Sequence, residues 1–162
     1  MSFSTADLSD VHGDRVQVVE LSFRSFGGHP RFHGPVRTVL TVLDNSKVKE
    51  ALESSSRGEV LVVDAGGDLR AAMVGDRLAA SAAENGWAGV VVVGAVRDVR
   101  VLAQTPVGIF ALGSCPRRSD RRGRGERDVP LQLQNVIVMP GQVLYADEDG
   151  VLVADRPLPL ES

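Results

Sequence analysis

Short, fully apolar runs separated by amphipathic segments are the sequence feature that most constrains how this chain can fold. Val60–Val63, Val90–Val93 and Val107–Leu112 contain no polar side chain, which is typical of strands in a sheet covered on both faces. Between these runs, Asp76–Asn85 and Asp98–Gln104 are predicted to be helices. This alternation of strands and helices predicts parallel strands joined by helical crossovers.

The remaining segments are predicted to add helices and strands on either side of this central section. Before it, we expect helices at Ser4–His12 and Asp44–Glu53, strands at Gln17–Leu21 and Val36–Leu43, and a loop at Ser25–Pro35. After it, an arginine-rich loop at Gly113–Glu126 leads into short antiparallel strands at Val129–Leu133, Val136–Val138, Val143–Ala146 and Val151–Ala154. The sequence therefore predicts one α/β domain over residues 1–162, with a parallel βαβ section and antiparallel C-terminal strands.

Composition excludes several classes of protein. The single cysteine, Cys115, rules out a disulfide framework and a multi-cysteine zinc site. The longest apolar runs, such as Ala88–Val96, are far shorter than the ~20 residues that a membrane span needs, and the N-terminus does not resemble a signal peptide. The net charge of −3 argues against a general nucleic-acid surface. We therefore expect a cytoplasmic protein that binds neither membranes nor nucleic acid.

Two predicted strand-to-helix junctions, Met73–Leu78 and Gly94–Asp98, carry polar groups suited to binding an anion. Ligands of open α/β sheets lie beyond the carboxyl ends of the strands, which is where both junctions should be. Asp76 is predicted to cap its helix, leaving the backbone amides of Arg77 and Leu78 free at the positive end of the helix dipole. Such amides can bind a carboxylate or a phosphate.

The second junction adds two complementary groups. Arg97 supplies a fork of N–H donors that suits a planar carboxylate, and Asp98 offers hard oxygens for a divalent cation. A simpler interpretation stays open at this point: Asp76 could be only a helix cap, and Arg97 and Asp98 only an exposed ion pair worth at most about 1 kcal/mol.

The spacing of these residues resembles that of a known family. Gly75-Asp76, twenty intervening residues, and then Arg97-Asp98 match the Asp-x20-Arg-Asp pattern of the RraA-like family. That family includes class II 4-hydroxy-4-methyl-2-oxoglutarate (HMG) aldolases, which also decarboxylate oxaloacetate, and regulators of ribonuclease E activity. The similarity extends from about Asp7 to Ala154 through further segments, among them Phe26-Gly27-Gly28, Gly34-Pro35, Pro116-Arg117-Arg118, Gly125-Glu126, Pro140-Gly141 and Tyr145-Ala146-Asp147.

The resemblance implies a swivelling α/β/β fold, a ring-shaped homotrimer and a role for each residue of the two junctions. It implies that Asp98 ligates Mg²⁺ or Mn²⁺ and that Arg97 holds the keto-acid end of a small oxo-acid substrate. It also implies that the amides from Gly75 to Leu78, including that of Arg77, bind the pyruvyl carboxylate. Asp76 would hold a water of the metal and relay a proton. The implied activity is a metal-dependent lyase acting through the enolate of pyruvate; the alternative is a non-catalytic inhibitor that binds a ribonuclease.

The sequence departs from the family at two points. Gln142 replaces the acid of a frequent Pro-Gly-Asp turn. Larger aldolases of the family carry a C-terminal extension that donates an acid to a neighbouring subunit, whereas here only Glu161 lies near the end; this favours decarboxylation over aldol cleavage. Some members bear the label of a demethylmenaquinone methyltransferase, but no Gly-x-Gly-x-x-Gly turn follows any predicted strand.

The arginine-rich loop supports two interpretations. Its positive charge is partly offset by Asp120, Glu126 and Asp128, which favours an ordinary solvated loop. The functional alternative is a surface for an anionic partner or for salt bridges between subunits. The arginines concerned are Arg117, Arg118, Arg121, Arg122, Arg124 and Arg127.

Overall fold

The computed structural model describes residues 2–160, which form a mixed α/β domain around one large twisted sheet. The helices are α1 (Thr5–His12), α2 (Ser46–Leu52), α3 (Asp76–Glu84) and α4 (Val99–Leu102). The strands are β1 (Val16–Val18), β2 (Arg24–Ser25), β3 (Phe32–Leu40), β4 (Val60–Asp64), β5 (Ala72–Val74), β6 (Gly89–Val96), β7 (Gly108–Ser114), β8 (Glu126–Arg127), β9 (Leu131–Leu133), β10 (Val136–Val138), β11 (Val143–Asp147) and β12 (Gly150–Ala154). None of the helices within this range is both long and apolar enough to cross a membrane.

The predicted parallel section is confirmed. Strands β3, β4, β6 and β7 are parallel neighbours in that order, and α2, α3 and α4 lie in the connections between them. All eight residues of β6 are buried, because this strand lies inside the sheet with layers on both of its faces. The antiparallel C-terminal strands are confirmed as well, with β11 paired to β12 and β9 paired to β10.

Strand β3 belongs to both halves of the sheet. Its first residues pair antiparallel with β11, and its last five pair parallel with β4. The prediction of a loop as far as Pro35 is therefore wrong from Phe32 onwards. Gly34 is needed in the strand because a side chain there would collide with the carbonyl oxygen of Gly58. A glycine that permits close backbone approach has the same sequence signature as a loop glycine.

The hydrophobic core consists of three clusters of buried side chains. One apolar cluster lies between the helices and the parallel strands and includes Leu52, Met73 and Ile109. A second fills the space between the parallel and antiparallel strands, and a third packs α1 and the segment around Leu158 against the antiparallel strands. The arrangement of helices, parallel strands and antiparallel strands is the predicted α/β/β sandwich.

Strand β5, which the sequence did not predict, places the first of the two junctions. It pairs parallel with the end of β6, so that Val74 lies beside Val96. The Arg97 amide then donates to the Val74 carbonyl at 3.0 Å. Gly75 follows β5 and Arg97 follows β6, so the two residues lie at the same edge of the sheet.

Candidate active site

An open cleft of about 670 Å³ lies at the carboxyl edge of the parallel strands. Its lining is mostly polar, in keeping with a site for a small charged ligand. All six residues singled out at the two junctions line it: Gly75, Asp76, Arg77, Leu78, Arg97 and Asp98.

Asp98 caps helix α3 from the neighbouring junction. Its backbone is in the left-handed region, with φ +59° and ψ 41°, a conformation that aspartate adopts more readily than most residues. In this conformation its Oδ2 accepts a hydrogen bond from the Asp76 amide at 2.9 Å. The prediction that Asp76 is the N-cap is wrong: Gly75 occupies that position and Asp76 is the first helical residue.

The prediction that the amides of Arg77 and Leu78 are both free is correct only for Leu78. The Arg77 amide is not free, because it donates to Oδ1 of Asp76 at 2.8 Å. The Leu78 amide has no hydrogen-bond partner among residues 2–160. Two carboxylates therefore already lie at the positive end of α3, and one amide remains available to a ligand.

Gly75 lies directly against both side chains of the second junction. A Cβ atom at this position would be 2.7 Å from Oδ2 of Asp98 and 3.3 Å from Cγ of Arg97. The first of these separations is too short for any real Cβ contact. The absence of a side chain at Gly75 thus allows the carboxylate of Asp98 and the stem of Arg97 to approach the start of α3.

Arg97 is half-buried and leaves most of its guanidinium unengaged. Its Nη1 makes one long hydrogen bond of 3.4 Å to the Pro116 carbonyl. Within residues 2–160, Arg97 and Asp98 form no salt bridge, so the alternative of a simple exposed ion pair is wrong. The remaining N–H groups of Arg97 can bind an anionic ligand in the cleft.

The donor set fits a weakly held, hydrated divalent cation. Mg²⁺ usually keeps several waters and binds through one or two carboxylates. Asp98 is exposed in the cleft, with Oδ2 fixed by the Asp76 amide. No group of three or more His, Cys, Asp or Glu residues among the described part of the chain could form a protein cage for a metal. A site here would therefore depend on Asp98 with water and substrate oxygens.

One wall of the cleft was not predicted from the sequence. It is formed by Asn45, at the start of α2, and by a segment of the arginine-rich loop from Arg118 to Arg121. Asn45 is buried, and its Nδ2 donates to the Met73 carbonyl at 3.1 Å. A signal was present, since Asp44-Asn45 is a third polar junction between a parallel strand and a helix.

A buried carboxylate anchors this wall. Asp44 is 0% exposed; its Oδ1 accepts from the Ser46 amide at 2.9 Å and its Oδ2 from the Arg122 amide at 2.7 Å. Burial raises the pKa of Asp44, but hydrogen bonds from Ser46 and from the backbone of Arg122 and Arg124 hold that pKa below its ordinary value. The arginine-rich loop is thus tied to the cleft by a charged side chain.

Of the two departures from the family pattern, only Gln142 falls within the described residues. Gln142 fastens its own turn, with Oε1 accepting from the Met139 amide at 2.8 Å and Nε2 donating to Asp155 at 2.9 Å. Gln142 does not line the cleft. Glu161 falls outside the described residues.

Comparisons with known proteins place the chain among related sequences over nearly its whole length. A family model described as "RraA-like: Aldolase/RraA" matches residues 5–153. A protein of Xanthomonas campestris pv. campestris (strain 8004) named "Putative 4-hydroxy-4-methyl-2-oxoglutarate aldolase" is 49% identical over 161 residues, covering 99% of this chain and 96% of its own length. A protein of the same name from Burkholderia mallei (strain SAVP1) is 50% identical over 163 residues, covering 98% and 99%.

Solved structures with the same fold carry different descriptions. The RNA-processing inhibitor RraA from Thermus thermophilis superposes with a TM-score of 0.94 at 47% identity, covering 98% of this chain and 96% of that one. A structure from Geobacillus kaustophilus HTA426 described as S-adenosylmethionine: 2-dimethylmenaquinone methyltransferase superposes with a TM-score of 0.95 at 47% identity, covering 96% and 97%.

Proposed function

Since the chain belongs to the RraA-like family, we propose that it is a divalent-metal-dependent lyase that cleaves pyruvyl substrates through the enolate of pyruvate. The proposed reactions are decarboxylation of oxaloacetate and retro-aldol cleavage of HMG. The names of the similar Xanthomonas and Burkholderia proteins support an aldolase. The observation that carries the proposal is the convergence of Asp98, Arg97 and the start of α3 on one open cleft.

In this proposal, the substrate's 2-oxo acid end binds between the two junctions. Arg97 donates its unengaged N–H groups to that end of the substrate. The Leu78 amide and the positive end of α3 favour the same negative charge. A Mg²⁺ or Mn²⁺ ion bound by Asp98 would polarise the keto oxygen and stabilise the charge that develops there. Because these donors are fixed before the reaction begins, they stabilise the enolate without reorganising.

Both reactions break the bond between C3 and C4 and leave its electron pair on the pyruvate enolate. In the retro-aldol reaction, the C4 hydroxyl loses its proton and becomes the keto group of a second pyruvate. Asp76 is the proposed acceptor of that proton, because its Oδ2 has no hydrogen bond among residues 2–160. In decarboxylation, CO₂ leaves instead. In both cases the enolate takes up a proton at C3 to give pyruvate.

The lysines of this chain favour a mechanism without a Schiff base. Lys47 and Lys49 are the only lysines in the sequence, and both lie on α2 outside the lining of the cleft. They pair with Glu50 and Glu53 at 3.2 Å and 2.8 Å. Charge stabilisation by Arg97 and a cation is therefore the chemistry that suits this site.

The proposal is tested by measuring pyruvate release from oxaloacetate and from HMG. We expect turnover that requires Mg²⁺ or Mn²⁺ and stops when the metal is chelated. Arg97→Ala should lower kcat/KM by about 10²-fold or more, as removal of one donor to a developing oxyanion does elsewhere. Arg100→Ala is the matched control, because Arg100 is exposed on α4 and lies outside the cleft.

Free metal ions decarboxylate oxaloacetate, so that rate is subtracted from every measurement. Equal enzymatic rates for the wild type and Arg97→Ala, with both proteins folded by circular dichroism, would refute the proposal. Turnover that persists after chelation would refute its metal dependence.

A second candidate function is inhibition of a ribonuclease by protein contact. The RraA of Thermus thermophilis, described as an RNA-processing inhibitor, supports this alternative, as does the exposure of Arg122 and Arg124 at the outer surface of the arginine-rich loop. Capture of the host's ribonuclease E-type enzyme by this chain, and loss of capture when the arginines of residues 117–124 are neutralised, would support it. Absence of capture at micromolar concentration would refute it.

We further propose that the chain assembles as the homotrimer that the family resemblance implies. Exposed apolar side chains support a subunit contact, since Val42, Leu69 and Val101 are 62%, 47% and 49% exposed. Light scattering should give three times the 17.2 kDa chain mass. A monomeric mass at micromolar concentration would refute this assembly.

A further inference from the structure

Two arginines of the cleft have no part in the proposed cleavage chemistry. Arg118 and Arg121 line the same cleft as Arg97 and Asp98. Both are exposed, and neither forms a salt bridge with any residue between 2 and 160. Arg121 is oriented by one hydrogen bond, from its Nε to Oδ1 of Asn45 at 3.3 Å. Two guanidinium groups in the same cleft are thus available to an anion.

The backbone that carries these arginines is fixed on both sides. The Arg117 carbonyl accepts from the Ala72 amide at 2.7 Å, and the buried Ser119 hydroxyl donates to the Ala72 carbonyl at 2.6 Å. The Asp120 amide donates to the Leu43 carbonyl at 2.9 Å, and its carbonyl accepts from the Asn45 amide at 3.1 Å. The segment is therefore held against β5 and the start of α2.

Asp44 extends this anchoring to the far end of the segment through its bond to the Arg122 amide. Arginine side chains that emerge from a fixed backbone lose less conformational freedom on binding than those of a mobile loop. This arrangement differs from the ordinary solvated loop that the charge pattern favours.

We propose that Arg118 and Arg121 bind a second carboxylate of the substrate, at the end opposite the 2-oxo acid group. The inference rests on the proposed function, because it assigns the first carboxylate to Arg97. The charge of the cleft lining supports it: four arginines face three aspartates, and one of these aspartates, Asp98, is assigned to the cation. The site thus selects dicarboxylic 2-oxo acids over monocarboxylic ones.

The reaction type determines whether Arg118 and Arg121 stabilise the transition state of a dicarboxylate substrate. HMG keeps its second carboxylate through bond cleavage and carries it away on the departing pyruvate. Oxaloacetate loses its second carboxylate as neutral CO₂, so arginines holding that group stabilise the ground state more than the transition state. Arg118 and Arg121 therefore favour retro-aldol cleavage over decarboxylation.

Binding of two unreactive acids tests the inference directly. 2-Oxoglutarate and 2-oxopentanoate have the same chain length, but a methyl group replaces the second carboxylate in 2-oxopentanoate. Calorimetry in the presence of Mg²⁺ should show that wild-type protein binds 2-oxoglutarate at least about tenfold more tightly, as expected for charge-assisted hydrogen bonds. The double variant Arg118→Gln/Arg121→Gln should lose that preference. Arg124→Gln, which removes a charge of the same loop outside the cleft, should keep it.

Kinetics separate failure of this inference from failure of the proposed function. The double variant should lower kcat/KM for HMG by about tenfold or more. For oxaloacetate it should raise KM and kcat together, because only binding of the ground state is lost. Equal binding of the two acids by the wild-type protein, or an unchanged preference in the double variant, would overturn the inference while leaving the lyase intact. A wild-type protein that neither binds these acids nor releases pyruvate would overturn both.

Discussion

Within the proposed site, Gly75 cannot accept a side chain without a steric clash. A methyl group there would meet Oδ2 of Asp98 at 2.7 Å, so Gly75→Ala must push the carboxylate away from the Asp76 amide. We expect the dissociation constant for Mn²⁺ or Mg²⁺ to rise by about 10- to 100-fold, the usual effect of disturbing groups that orient a metal ligand. Calorimetric titration with the metal alone measures this.

Gly13→Ala provides the matched control for that substitution. A Cβ at Gly13 would meet no atom within 4 Å, and Gly13 has φ −41°, which alanine adopts freely. Both variants should melt cooperatively, as followed by circular dichroism. An unchanged metal affinity in Gly75→Ala would contradict the assignment of Asp98 as the metal ligand.

The residue scale also shows where sequence reasoning reached its limit. The position of Asp76, Arg97 and Asp98 after predicted parallel strands correctly indicated that they lie together, and they line one cleft. It could not predict that Asp98 caps the helix in place of Asp76, because that depends on one left-handed backbone conformation. Asx residues adopt this conformation only where the surrounding fold requires it, and a local sequence pattern does not contain that information.

At the scale of elements, a buried carboxylate adds to the apolar contacts that join helix α1 to the sheet. Asp147 is 4% exposed. Its Oδ2 accepts from the Thr5 amide at 2.7 Å, and its Oδ1 accepts from the Thr5 hydroxyl at 2.6 Å. Burial raises the pKa of Asp147, but the bonds from Thr5 and from the Asp149 amide hold that pKa below its ordinary value. The ionised carboxylate therefore stabilises the folded chain.

This lowered pKa predicts acid sensitivity of the folded state. An acid with a depressed folded pKa contributes stability above its unfolded pKa, about 3.9 for aspartate, and that stability is lost as pH falls through the folded pKa. Thr5→Val removes the hydroxyl donor, so it should cost about 1–3 kcal/mol at pH 7 and less below pH ~4. Urea denaturation across this pH range measures the difference.

Thr105→Val is the comparison for that experiment. Its hydroxyl donates to the Val101 carbonyl at 2.9 Å, a bond that involves no titrating group. The cost of Thr105→Val should not change with pH. An equal pH dependence of the two variants would show that Asp147 does not stabilise α1 through Thr5.

The arginine-rich loop depends on its own buried acid. Asp44→Asn keeps the size of the side chain but turns one acceptor oxygen into a donor, which would then face the amide of Ser46 or Arg122. We expect a loss of about 1–3 kcal/mol in the free energy of unfolding and faster hydrogen exchange across residues 119–124. Asp120→Asn is the control, because the Asp120 side chain is exposed and makes only a weak contact, 3.9 Å long, with the side chain of Arg122. Unchanged exchange in Asp44→Asn would contradict the anchoring role.

Some elements could be predicted from the sequence and others could not. Helix α3 was predicted to within one residue, because its apolar stripe and the following Gly86, with φ +86°, are local signals. Strand β5 has only three residues, too few for a periodic pattern. It forms because the end of β6 offers free backbone groups beside it. Such a tertiary pairing has no signature in the local sequence.

At the scale of the whole molecule, one aromatic ring connects the two halves of the sheet. Phe32 begins β3, where that strand is paired with β11. Its ring lies against Gly89 of β6 and Gly108 of β7, where any Cβ would collide with it. It also packs edge-to-face on Phe110, with ring centroids 5.1 Å apart. The two glycines thus make room for a side chain that closes the space between the layers.

This contact predicts that the parallel and antiparallel halves unfold together. Phe32→Ala should remove about 3–5 kcal/mol from the free energy of unfolding while the transition stays single, because β3 contributes backbone hydrogen bonds to both halves. Phe23→Ala is the control, since Phe23 is only half-buried at the edge of the same cluster and should cost clearly less. Urea denaturation followed by far-ultraviolet circular dichroism and by fluorescence of the buried Trp87 tests this. Trp87 belongs to the cluster between the helices and the parallel strands, so non-coincident transitions by the two probes would show that the halves are separate folding units.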